Sequence, residues 1–89
     1  MTDLTTLRLI QIALRWAWDP IGVRRIEEAA DEYDGYAPCL LEMLRADAPA
    51  AQIAEYLSTV VRDRMELPAE PDRDMDLASM LQQMFVVTR

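Results

Sequence analysis

Residues 4–20 read LTTLRLIQIALRWAWDP, and the way this stretch folds decides the architecture of the whole chain. Leu7, Ile10, Leu14 and Trp18 fall on one helical stripe, which Leu9, Ile12, Ala13 and Trp16 widen. Thr2 and Asp3, just ahead of it, are residue types favoured at a helix N-cap. The polar strip that remains, Thr5, Arg8, Arg15 and Asp19, is narrow. A helix that is apolar around most of its circumference is contacted from several sides, so this one is expected at the centre of a helical array. Asp19-Pro20 ends it, because a residue before proline avoids the α region and proline has no N–H for the helical ladder. Gly22 then helps the chain turn, with Asp19 able to cap or hydrogen-bond that turn.

Outward from this corner, residues 21–30 are charged and weakly patterned, and read as a connection with at most a short helical turn over 23–29. Tyr33, Tyr36, Ala37, Leu40 and Leu44 then sit at i, i+3, i+4, i+7 and i+11. That period predicts a helix starting at Asp31 or Glu32 and kinked by Pro38. The competing reading places Pro38 in the first helical turn, with Asp34-Gly35 as a turn before it; the unbroken tyrosine period favours the kink. Pro49 opens a third helix whose buried face is Ile53, Leu57, Val60, Val61 and Met65, with Ala50, Ala51 and Ala54 as a smooth side for close packing. Two prolines make 66–71 a loop, after which Asp72 or Asp74 caps a final helix carrying Leu77, Met80, Leu81, Met84 and Phe85. No strand-like alternation appears. The expected fold is all-α, a compact four-helix array joined by short loops, in one domain over 1–89 with helices about 4–18, 31–46, 49–65 and 74–87.

A chain of 89 residues buries roughly two thirds of the surface its unfolded form exposes, enough for one core without covalent staples. Cys39 is the only cysteine, which excludes an intramolecular disulfide. Arg8, Gln11 and Arg15 interrupt the most apolar segment well short of the ~18 residues a bilayer span needs. No signal-peptide pattern is present, so the expected location is a reducing, bacterial-type cytoplasm. The net charge of -7 disfavours nucleic acid and anionic membrane and would steer in a basic protein. All basic residues are arginines, a bias that most simply reflects the base composition of the host. The absence of histidine removes the commonest general base and transition-metal ligand.

The acidic run EEAADEYD, residues 27–34, offers the best candidate chemistry. Glu27 with Asp31, and Glu28 with Glu32, are four apart, so on a helix they form paired carboxylates suited to a divalent cation, a small molecule or acid–base work. The plainer reading is a solvated helix start whose negative charge complements the helix dipole. Asp72, Asp74 and Asp76 have the spacing that opens a calcium loop, but Leu77 stands where glycine is needed and Gln83 where a bidentate glutamate is needed. Cys39 has no histidine to activate it and reads as an ordinary buried or half-buried cysteine. No phosphate-cradling glycine motif and no cysteine cluster occurs; no metal ligand, cofactor or catalytic residue is assigned, and a non-enzyme is expected.

Trp16 and Trp18, two apart, point roughly opposite ways on a helix, so one of them is expected at the surface. An exposed tryptophan beside an acidic, tyrosine-bearing strip has the composition of a hot spot for a basic partner. The expected partner site is therefore Trp16, Trp18, Asp31, Asp34 and Tyr36. A possible homodimer contact is Met80, Met84 and Phe85, because the apolar surface of the final helix exceeds what a four-helix core covers.

WDPIGV at 18–23, DEYDGYAP at 31–38 and MEL at 65–67 together resemble the YugE-like family of small bacterial all-helical domains. The resemblance covers roughly residues 10 to 67. It implies a compact array of four helices and brings no established activity. The chain departs from the family at Glu66, where the family form is MGL, so no glycine stands ready to close the third helix. The functional expectation is a protein–protein interaction module, immunity-like or a regulatory adaptor, binding a basic partner; the alternatives are a carboxylate cation site in 27–34 and a plain homodimer.

Overall fold

The apolar stripe of the first segment does form a helix, α1, Asp3–Ala13, which continues without a break into a wider, π-helical turn, Leu14–Trp18. A computed structural model describes residues 3–88, with side chains to Val87, so Thr2 lies outside the described residues. Ile10, Ala13, Leu14 and Trp18 are buried against α2, Ala37–Arg45, and α4, Pro71–Thr88. The expected encirclement is incomplete, because Ile12 and Trp16 remain exposed on the outer side. The array is completed by α3, Ala50–Thr59, which also runs into a π-helical turn, Val60–Arg64, and which packs extensively along α4. The described secondary structure is entirely helical, with a radius of gyration of 12.2 Å. About 12 Å is what a compact chain of this length adopts. No helix among the described residues is long and apolar enough to cross a membrane.

The second helix starts later than the tyrosine period suggests. Residues 27–29 and 34–36 form separate 3-10 turns, and α2 begins at Ala37 with Pro38 in its first turn, where a missing N–H costs nothing. The kink is therefore absent. Tyr33 and Tyr36 still face inward together because the 3-10 geometry, with three residues per turn, places i and i+3 on the same side. A spacing of three cannot by itself distinguish the two helix types. The last helix starts earlier than expected, with Pro71 as its first residue and the Glu70 carbonyl accepting from the Asp74 N–H at 3.1 Å. Asp72 and Asp74 thus lie inside the first turn and neither is the cap.

The helix ends use left-handed backbone. Asp47, at φ 58°, closes α2 while its N–H bonds the Leu44 carbonyl and the Ala48 N–H bonds that of Met43, the pairing of a Schellman motif. After the turn at Val60–Arg64, Glu66 stands at φ 55° as the Leu67 N–H reaches back to the Val61 carbonyl at 3.0 Å. A glutamate here carries steric strain that glycine would not. Glu66→Gly should raise stability by about 0.5–1 kcal/mol, since relief of ~1–2 kcal/mol of left-handed strain outweighs the extra freedom of unfolded glycine. A thermal melt should show the midpoint rise by a few degrees. An unchanged or lower midpoint would mean that the Glu66 side chain contributes more than its strain costs.

Candidate functional site

Two buried carboxylates lie on either side of Trp18: Asp19, next to it in the chain, and Asp74, which accepts from its indole. Asp19 follows the first π-helical turn at φ 38°, its N–H bonded to the Leu14 carbonyl. That conformation aims its side chain at the following loop. Oδ1 accepts from the N–H groups of Gly22 and Val23 and from the Tyr33 hydroxyl at 2.8 Å, while Oδ2 accepts from the Arg24 N–H and from Arg24 Nε at 2.8 Å. Tyr33 Oη in turn accepts from the Ile21 N–H. Burial alone would raise the Asp19 carboxyl, but the Arg24 guanidinium, the Tyr33 hydroxyl and the backbone N–H groups of Val23 and Arg24 outweigh it and hold it down at about 2. Tyr33 is pushed well above the ordinary phenol range by burial, with the adjacent Asp19 adding to it. With five donors already engaged, Asp19 has no lone pair to offer a substrate.

On the other side, Asp74 is fully buried. Its Oδ1 accepts from Trp18 Nε1 at 2.8 Å and from Arg73 Nε at 3.2 Å, and its Oδ2 accepts from the Ser58 hydroxyl at 2.7 Å. One carboxylate therefore ties α1, α3 and α4 together. Arg73 also pairs with Glu70, and its Nη2 is buried with no hydrogen-bond partner. Of the three aspartates with calcium-loop spacing, Asp72 and Asp76 are exposed and Asp74 points inward. The sequence singled out Asp74 only as a cap and as one of three aspartates at calcium-loop spacing; the signal for its structural role was an indole donor in Trp18 that, once buried, had to find an acceptor.

The expected partner residues are divided by this arrangement. Trp18 is only 1% exposed, packed edge-on against Tyr33 at 5.4 Å and Tyr36 at 6.2 Å, so it offers no face to a partner. Its ring is structural because its one polar atom is satisfied inside. Trp16 is 45% exposed, with the Arg15 guanidinium 4.6 Å from its ring centroid. Arg15 also donates to the Arg24 carbonyl and approaches Glu27 at 3.6 Å, which links the exposed indole to the start of the acidic segment. Asp31 is exposed and Asp34 half-buried. Tyr36, half-buried, meets Trp18 and the Arg64 guanidinium.

Among the described residues, Glu28, Asp31, Glu32 and Asp34 have no ion-pair partner. They lie on turns, so the four-residue spacing that would pair carboxylates on an α-helix does not apply. No three acidic or thiol side chains gather into a cation site among the described residues. Cys39 is exposed, contrary to expectation, and lies beside Tyr56, whose hydroxyl is pushed up to about 12 by burial and by that thiol. In the expected dimer contact, Met84 and Phe85 turn partly into the core, and Met80 alone of the three is exposed.

Two hollows meet at Arg73. One, of about 270 Å³, lies between the first and last helices and is lined by Ala17, Arg73, Asp76, Leu77 and Met80. The other, of about 180 Å³, is lined by Pro20, Val61, Leu67, Pro68, Glu70 and Arg73. Compared with family models, curated proteins and solved structures, the chain matches none.

Proposed function

We propose that this protein is a non-enzymatic interaction module of the cytoplasm, an immunity-like or regulatory adaptor, that binds a basic protein through Trp16 and the acidic segment 27–34. The observation that carries this reading is the exposed Trp16 ring, joined through Arg15 to Glu27 at the edge of four carboxylates that have no cationic partner among the described residues. An indole at the surface presents a large rigid apolar area, and uncompensated negative charge beside it attracts and orients a cationic partner. Self-association through α4 is the second reading, carried by the exposed Met80, Val86 and Val87.

The test is capture from host lysate with the wild type and with a Trp16→Ala, Asp31→Ala, Asp34→Ala variant. A cationic protein should be retained by the wild type, lost by the variant, and released as salt rises to ~0.5 M, where surface charges are screened within a few Å. Equal retention by both forms, or binding indifferent to salt, would count against this face.

A further inference from the structure

The hollow between the first and last helices sits one residue from Trp16, because Ala17 forms part of its wall. Its apolar lining is Ala17, Leu77 and Met80, and its charge is one-sided. The Arg73 cation is already shared by Glu70 and Asp74, whereas Asp76 in the wall and Asp72 one turn earlier are exposed and have no basic partner among the described residues. Arg73 is also the only basic residue of α4. The surface is thus a small apolar cleft with a negative rim. Met75 and Met80, both exposed, are flexible side chains of the kind that adapt to an inserted group.

Resting on the interaction-module reading, we propose that this cleft seats an amphipathic, cationic helical segment of the basic partner. One apolar side chain of that segment enters the hollow against Ala17, Leu77 and Met80, and a neighbouring lysine or arginine meets Asp76. Trp16 then covers the segment from the α1 side and continues the contact toward Glu27. The charge complementarity selects a cationic segment, and the apolar lining of Ala17, Leu77 and Met80 selects one with an apolar anchor.

Two synthetic helical peptides of equal positive charge test this, one with leucines at i, i+3, i+4 and i+7 among lysines, the other with serines replacing the leucines. Fluorescence anisotropy should show the leucine peptide binding wild-type protein at least tenfold tighter than the serine peptide. Ala17→Trp, which fills the hollow from an exposed position, should abolish that preference, and Asp76→Lys should weaken the leucine peptide several-fold; circular dichroism verifies that both variants fold. Equal binding of the two peptides would overturn the cleft while leaving a purely electrostatic acidic site standing. A leucine preference that survives Ala17→Trp would also overturn it. Failure of both peptides to bind at low salt would remove the basic-partner reading together with the cleft. Sedimentation of the wild type as a dimer that Ala17→Trp renders monomeric would assign the hollow to a second copy of this chain, against the proposal.

Discussion

Asp74→Ala should leave the protein at the edge of unfolding, with urea denaturation registering a loss of about 3–5 kcal/mol. A domain of this size holds only ~5–13 kcal/mol in total. The reason is what the carboxylate leaves behind. Trp18 Nε1–H, the Ser58 hydroxyl and Arg73 Nε all donate to this fully buried carboxylate, and Arg73 already has one orphaned nitrogen. Removing the acceptor strands the buried indole N–H, and with it a part-buried hydroxyl and a part-buried cation, and a stranded buried donor costs ~1–3 kcal/mol. Asp74→Asn keeps the shape and one acceptor oxygen, so it should lose less, about 1–2 kcal/mol. An alanine variant that loses under ~1 kcal/mol would show that Asp74 is dispensable and that apolar packing alone seats Trp18.

Asp19→Ala comes second, with an expected loss of about 3 kcal/mol, because one side chain satisfies three loop N–H groups, the Tyr33 hydroxyl and Arg24 Nε. The acid limb of the stability curve provides an independent check. The carboxyl ordinarily titrates at 3.8 and is held at about 2 in the fold. Its contribution is therefore present in full above the unfolded value and is lost as pH falls from about 4 through 2. The depression is worth about 2 kcal/mol over that window. Urea denaturation at a series of pH values should show this loss in the wild type, and Asp19→Asn should flatten it. A wild-type curve with no loss between pH 4 and 2 would contradict the depressed carboxyl.

The helical class was legible because it follows from local spacing. The stripe of Leu7, Ile10, Leu14 and Trp18, the break at Asp19-Pro20, and the opening of the third helix at Pro49 all act within a few residues. The turn-forming role of Asp19 followed from the same local logic. Where local spacing is shared by two structures it misled. Tyrosines three apart serve a 3-10 turn as well as an α-helix, so the second helix was extended six residues too far toward the N-terminus.

The surface is harder to read than the helices. Trp18 lies on the central apolar stripe and Trp16 at its widened edge, a local difference that does not say how deeply either is buried. The buried indole finds its acceptor in Asp74, 56 positions from Trp18 along the chain, which reaches it only once α4 is docked. The hollow lined by Ala17 and Met80 arises in the same way, from two helices that are distant in sequence and adjacent in space. By itself the sequence determined an all-helical chain, the places where its helices break, its negative charge and the corner at Asp19, since periodicity, proline geometry and composition need no distant partner. The tertiary structure alone decided which tryptophan is buried, which aspartate is structural and where the clefts lie, because burial and hydrogen-bond satisfaction are properties of the docked helices.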